Sequence, residues 1–383
     1  MLALVNAALT REASDRLARE RSWEMLRVPS VRSAVDELPA DGRLRVRALI
    51  VEAEPVDAGL LASLPGLELV ACLRSDPVNI DVPAATERGV AVVNAPGRNA
   101  EAVADFTLGL CIAAVRNIAI AHHGIVSGQL TSKEPPKGVN RADGDVIWRP
   151  DDLSVPIPYV VYKGHQLSSR VLGVVGFGNV GRAVARRFAG LVRDIYVFDP
   201  AVPAESVRDA GFLPAASLEE LLSRADLVTI HARSRNVVIG RAELSMMKPD
   251  SYLINTARAS VLDYDALVDA LRSGRLKGAA LDVFPDEPLP TSSPLVGLRG
   301  LTLTPHLAGA AAEVTDRQSE ILLDALRRIY ASETDWGGVP VCNPALRARW
   351  YSRRSEMAAA ADGHDAGAGA TENPGDKGEA VRS

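Results

Sequence analysis

The stretch VLGVVGFGNVGRAV, residues 171–184, constrains the fold more than any other part of the chain. An apolar run meets Gly176, and Gly178 and Gly181 complete the pattern G-x-G-x-x-G ahead of the helix-like AVARRF. In such a pattern the first glycine permits a tight turn. The second lets backbone approach a pyrophosphate, and the third lets helix pack on strand. The helix N-terminus then offers unpaired N–H groups and a partial positive charge to the phosphates. The next apolar run, DIYVFDP, carries Asp199 about 18 residues past Gly181. A carboxylate there accepts hydrogen bonds from ribose hydroxyls and repels a 2′-phosphate, which favours NAD over NADP. A glycine-rich turn in some other doubly wound domain is the plain alternative. The strand, the helix and the acid, all in place, argue against it.

The motif sits in the middle of 383 residues, a length that suits two domains. Both flanks alternate strand-like and helix-like runs. Upstream, VRALIVE, LELVACL and VAVVNAP read as buried strands separated by short helices at 55–64 and 84–89. A long helix is expected from Asn99, its N-cap, through His123, with Val103, Leu110 and Ala114 on one apolar face. Residues 1–45 look charged and helical. Downstream, SLEELLSRADLVTIHA, ELSMMKPDSYLINTAR and YDALVDALRSGRLKGAALDVF repeat the helix–strand unit, with a capping box expected at Ser217 and Glu220. This predicts a parallel sheet of six or seven strands, an α/β class fold. A further helix is expected over 308–330. Residues 127–160 are rich in Pro, Gly and Asp and read as an irregular excursion.

Composition excludes several classes. The net charge is −5, so no domain-wide basic surface for nucleic acid is expected. No apolar run reaches the roughly 20 residues needed to cross a bilayer. The N-terminus has no basic region ahead of its apolar start and does not read as a secretory signal. Three cysteines, Cys72, Cys111 and Cys342, read as reduced thiols of a cytoplasmic protein. The six histidines show no metal spacing, so no metal is expected.

In open α/β sheets, ligands bind beyond the carboxyl ends of the strands. Polar residues at those ends are therefore the candidates for chemistry. LINTAR ends in Arg258, LTLTPH in His306, DLVTIH in His231, and LDVFPDEP supplies Asp282 and Glu287. Hydride transfer to a keto acid needs a cation for the carboxylate and carbonyl, and an acid for the new alkoxide. Arg258 supplies bidentate charge-assisted hydrogen bonds. His306 is a proton donor suited to neutral pH, and a carboxylate such as Glu287 would hold its tautomer.

The stretches AATERGVAVVNAPGRNAEAVADFTLGL, GVVGFGNVGRAVARRF, MMKPDSYLINTARAS, LDVFPDEPLP and LTPHLAGAA resemble the D-isomer-specific 2-hydroxyacid dehydrogenases, a family that includes 3-phosphoglycerate dehydrogenases and hydroxypyruvate reductases. Together they span about residues 46–330. The resemblance implies two doubly wound, Rossmann-like parallel-sheet domains, with the NAD domain inserted into a split substrate domain. The expected boundaries are 1–120 for the first part of the substrate domain, 121–304 for the NAD domain, 305–350 for the return, and 355–383 for a structureless tail. It also implies that Arg258 binds substrate, that His306 is the acid/base and that Glu287 is its partner. Asp282 is expected at the nicotinamide amide. Gly176, Gly178, Asn179, Val180, Gly181, Asp199, His231 and Ala257 are expected along the NAD. The implied partners are a small 2-hydroxy or 2-keto acid and a second copy of the chain in a homodimer.

The loop LRSDPVNID departs from the family, which has glycines where Ser75 and Asp76 stand here. Beside an anionic substrate the Asp76 carboxylate is unfavourable unless Arg74 neutralises it; the other reading is a turn residue facing water. The connection ARSRNVVIG after His231 is also shorter than the family's. Formate dehydrogenase shares the implied fold, but Glu287 stands where that branch carries glutamine. A non-enzymatic NAD-sensing binding protein of the same fold is the alternative from another class.

Overall fold

The computed structural model describes residues 1–131, 157–331 and 336–365. It divides into two compact units. One comprises 1–98 together with the chain from 315 onward, and the other is the continuous segment 99–314. The second unit is therefore inserted into the first.

The first unit holds five parallel strands: β1 (Leu2–Asn6), β2 (Glu24–Arg27), β3 (Val46–Val51), β4 (Leu69–Cys72) and β5 (Ala91–Asn94), in the order β2-β1-β3-β4-β5. The second holds seven: β6 (Val171–Val175), β7 (Asp194–Phe198), β8 (Leu213–Pro214), β9 (Leu227–Ile230), β10 (Tyr252–Asn255), β11 (Gly278–Leu281) and β12 (Leu301–Leu303), in the order β12-β11-β10-β9-β6-β7-β8. Every pairing among these strands is parallel, and an isolated antiparallel bridge joins Val93 of β5 to Val341. Helices cover both faces, so central strands such as β4, β6 and β9 are buried along their whole length. This explains why they read as unbroken apolar runs. The expected α/β class and the paired parallel sheets are present.

Several local expectations change. Residues 1–45 contain β1 and β2 besides helices. LALV is too short to show a period, and β2 is a four-residue edge strand. The long helix breaks into Ala100–Val115 and Ile118–Val126, bent by 68° where Asn117 adopts a left-handed φ of 57°. Asn99 stands at its N-cap position but makes no capping bond; its side chain lies against Gly309. At the helix Leu218–Arg224, Ser217 does cap, accepting from Glu220 N, while the Glu220 carboxylate accepts from Ala216 N. The helix expected from 308 starts at Glu313.

The unit boundaries also lie elsewhere than expected. Helix Ala100–Val115 belongs to the second unit, because Ala104, Leu110 and Cys111 are buried in one core with Leu172, Val174 and Phe188. The first boundary thus lies at Arg98, not 120. The second lies at Val314, not 304, because the loop carrying His306 is bonded to the end of β11. The returning chain brings Leu322, Leu326, Ile329, Trp336 and Trp350 into the core of the first unit. The helix Arg347–Asp365 runs into the stretch expected to lack structure, and the rest of that tail lies outside the described residues. Residues 132–156, most of the expected excursion, lie outside them too. Among the described residues no single helix is long and apolar enough to cross a membrane, and no His/Cys/Asp/Glu group could hold a metal. All three cysteines are free thiols.

Candidate active site

The strand order of the second unit reverses between β6 and β9, and the glycine turn lies there. Gly176 has φ +94°, and a Cβ on it would meet Ala232 N at 2.6 Å. A Cβ on Gly181 would meet Gly176 O at 2.0 Å. Both positions therefore exclude a side chain. A Cβ on Gly178 would meet nothing within 4 Å, so open space lies on that side of the turn. Gly178 is the N-cap of helix Asn179–Phe188 and provides no side chain to satisfy its first N–H groups. Asn179 is exposed and Val180 half-buried beside it. Asp199, just past β7, accepts from Phe177 N (2.7 Å) and Ala201 N (2.9 Å), which holds its carboxylate against the turn. Open backbone at a helix N-terminus with a carboxylate alongside fits a dinucleotide.

His231, past the end of β9, is buried. Its Nε2 lies 2.9 Å from Thr229 Oγ1, and Nδ1 has no partner among the described residues. Burial pushes its pKa down to about 3, so the ring stays neutral.

Beyond β10, β11 and β12 three short loops stand side by side. The first is Thr256–Arg258. The Asn255 side chain brackets it, donating to Arg258 O (2.9 Å) and accepting from Ala257 N (3.0 Å). Asn255 itself is wholly buried, and Thr256 is pinned by Thr107, oxygen to oxygen at 2.8 Å. Arg258 is exposed, with Nη1 donating to Ala257 O at 2.6 Å.

The second loop runs from Asp282 to Glu287. Glu287 Oε1 accepts from Phe284 N (2.9 Å), and Oε2 lies 2.7 Å from His306 Nδ1. Partial burial pushes the Glu287 carboxyl up. The His306 hydrogen bond, the Phe284 N–H and the nearby Arg258 charge outweigh that, and the carboxyl sits below its ordinary range.

The third loop carries His306. Asp282 is fully buried, and its carboxylate collects this loop: Oδ1 accepts from Thr304 Oγ1 (2.6 Å) and Leu307 N (2.8 Å), Oδ2 from Ala308 N (2.8 Å). His306 N donates to Asp282 O at 2.8 Å. These bonds hold His306 at φ +57°, a conformation that side chains other than glycine adopt reluctantly. With Nδ1 on Glu287, Nε2 is left without a partner among the described residues, on a ring that is half exposed.

The expected set thus converges on one sheet edge: Arg258, Asp282, Glu287 and His306 beyond adjacent strands, with the Gly176–Gly181 turn, Asp199, His231 and Ala257 along the same edge. Sequence reasoning missed Asn255 and Thr304. Asn255 did leave a signal, as a polar residue inside the apolar run YLIN. In the first unit, Asn94 Nδ2 donates to Ser75 O (2.8 Å) and Gly97 N to Ser75 Oγ (3.3 Å). Asp76 is exposed, as a turn residue should be.

Comparison with known proteins agrees with this geometry. Residues 158–308 match the model of the D-isomer specific 2-hydroxyacid dehydrogenase NAD binding domain. The chain is 34% identical over 276 residues to a glyoxylate reductase of Korarchaeum cryptofilum, covering 71% of this chain and 76% of that one. It is 35% identical over 288 residues to a D-3-phosphoglycerate dehydrogenase of Mycobacterium leprae, covering 74% of this chain but 49% of the relative, so it spans about half that protein's length. The structure of the TT0316 protein from Thermus thermophilus aligns with TM-score 0.65 at 31% identity, over 85% of this chain and 96% of that one. A dinucleotide turn at the switch point, strand-end loops carrying Arg, Glu and His, and relatives above 30% identity over more than two thirds of the chain agree: the chain belongs to the D-isomer specific 2-hydroxyacid dehydrogenase family and is a nicotinamide-dinucleotide-dependent oxidoreductase.

Proposed function

We propose that this protein interconverts a small D-2-hydroxy acid and its 2-keto acid, with His306 as the acid/base, Arg258 holding the substrate carboxylate, and NAD preferred to NADP. The His306–Glu287 contact carries the reading. Glu287 accepts from Nδ1–H and so orients the ring; the imidazolium gives its Nε2 proton to the carbonyl oxygen, and the neutral Nδ1–H tautomer takes the hydroxyl proton back in reverse. Arg258, exposed beside this pair, supplies a planar guanidinium for a carboxylate. The dinucleotide, when bound, supplies or accepts the hydride. Gly176, Gly178, Gly181, Asn179 and Val180 hold its pyrophosphate, and Ala257 and His231 line its path. Asp199 accepts from the ribose hydroxyls, and its charge disfavours a 2′-phosphate. The expectation for Asp282 is a contact to the nicotinamide amide, added to its bonds to the His306 loop.

Names among the relatives make glyoxylate and D-3-phosphoglycerate the first compounds to try. The exposed apolar residues Ile118, Ile120, Ile125, Val126, Tyr159, Val160 and Val161 support a homodimer through the second unit. Free thiols suit a reducing, cytoplasmic setting.

The test is oxidation of NADH and of NADPH against a panel of 2-keto acids, with the wild type and Arg258→Ala. The reading requires turnover by the wild type with NADH ahead of NADPH, and a rise in KM with a fall in kcat for the variant. Tight NADH binding with no turnover of any keto or hydroxy acid would replace it by the non-enzymatic NAD-sensing alternative.

A further inference from the structure

Tyr264 lies outside every role assigned so far. It is the first residue of helix Tyr264–Arg272, which the Asp263 side chain caps by accepting from Ala266 N (2.9 Å). That start is itself fixed, because Asp263 N donates to Ile239 O (3.0 Å). From this anchored position the Tyr264 hydroxyl donates to Val283 O at 2.5 Å, across a sequence separation of 19. Its ring packs against the core that contains Leu267, Leu281 and Phe284. Burial raises the phenol well above its ordinary range, the neighbouring Asn255 amide opposes that rise, and the Glu287 charge adds to it. The hydroxyl therefore remains a donor, and it lies within electrostatic reach of both Asn255 and Glu287.

Those neighbours define a lateral tie. Asn255 brackets the loop of Arg258. Val283 lies between Asp282, which collects the His306 loop, and Phe284, whose N–H binds Glu287. Asn255 and Asp282 each organise a single loop. Tyr264 ties a further element to this set: from the anchored start of its own helix, its hydroxyl holds the carbonyl at the root of the Glu287 loop. We infer that Tyr264 is a positioning residue for the reaction: its hydroxyl fixes the root of the Glu287 loop against the anchored start of its helix, and through Glu287 it fixes the tautomer of His306. This rests on the functional reading above. It concerns residues of one compact unit throughout.

The test is Tyr264→Phe, which keeps the ring in the core and removes the donor. Turnover of a 2-keto acid, NADH affinity by fluorescence, and the ¹⁵N shifts of the His306 imidazole are measured on the full chain, with His306→Gln to assign the signal. A misplacement of this kind costs between about tenfold and a hundredfold in kcat. KM and the NADH Kd stay within about threefold, and the ¹⁵N pattern changes from a single Nδ1–H tautomer to a mixture. Wild-type kcat and an unchanged ¹⁵N pattern, with only a lower melting temperature, would overturn the assignment and leave Tyr264 a packing residue. A wild type that turns over no keto acid would sink the functional reading by itself. The tautomer signature still decides whether Tyr264 holds the pair.

Discussion

Asp282 holds His306 by its backbone and the residues that follow it by its side chain: His306 N donates to Asp282 O at 2.8 Å, and the Asp282 carboxylate accepts from the next two backbone N–H groups, of Leu307 and Ala308. A buried carboxylate thereby holds an exposed imidazole in a left-handed backbone conformation. Conversion of Asp282→Asn places an amide N–H₂ among these donors. Hydrogen bonds to charged groups contribute about 1.5–3 kcal/mol each. The variant should lose stability on that scale and lose kcat, with hydrogen exchange rising at Leu307 and Ala308 before the rest of the sheet. Unchanged exchange at those two amides would contradict the anchor.

The Glu287 carboxyl gives a pH prediction. Its pKa lies below the ordinary 4.5 because the hydrogen bonds from His306 and Phe284 outweigh its partial burial. A depressed acid contributes stability that is complete above the unfolded-state value and is lost as pH falls through the lower folded value. The carboxyl should therefore titrate below 4.5 by ¹³C NMR, and the difference in urea midpoint between wild type and Glu287→Gln should shrink only under strongly acidic conditions. A midpoint above 4.5 would place Glu287 away from His306.

His231 has the opposite consequence for a base. Burial pushes its pKa down to about 3, well below the ordinary histidine range, so the unfolded chain takes up a proton that the folded chain refuses. Stability then falls as pH drops below the unfolded value, by about 1.4 kcal/mol per pH unit from this group until the folded value is reached. Between pH 7.5 and pH 5 the wild type should lose more stability than His231→Gln. Equal losses would show that the ring is open to solvent.

Cofactor choice tests Asp199. Its carboxylate is held against the glycine turn by Phe177 N and Ala201 N. Asp199→Ala should weaken NADH binding and narrow the preference for NADH over NADPH, read as the ratio of the two kcat/KM values. An unaltered ratio would remove the ribose contact.

Much of this site was legible from residue order. Apolar runs that end on Arg258, Asp282 and His306 become strands, and parallel strands deliver their last residues to one edge whatever the helices do. Glu287 was found because it follows Asp282 closely in a turn-rich stretch. Tyr264 left no trace, since its partner is a backbone carbonyl and no residue type advertises that. The first two strands were hidden for other reasons: the four apolar residues LALV show neither a two- nor a 3.6-residue period, and EMLR is a largely exposed edge strand with a charge at each end. The break at Asn117 was hidden by the apolar IAIA that follows it, and only the tolerance of asparagine for left-handed backbone hinted at it. The unit boundaries depend on which core receives the apolar face of helix Ala100–Val115, and the face alone does not specify that.

The central claim is that His306 Nε2 exchanges the proton that accompanies hydride transfer. Single-turnover oxidation of bound NADH by a 2-keto acid, followed in the stopped flow for wild type and His306→Gln, isolates that step from binding and release. The variant should bind NADH as the wild type does and slow the transfer by about 10²–10⁴-fold. Equal single-turnover rates in the two proteins would contradict the assignment.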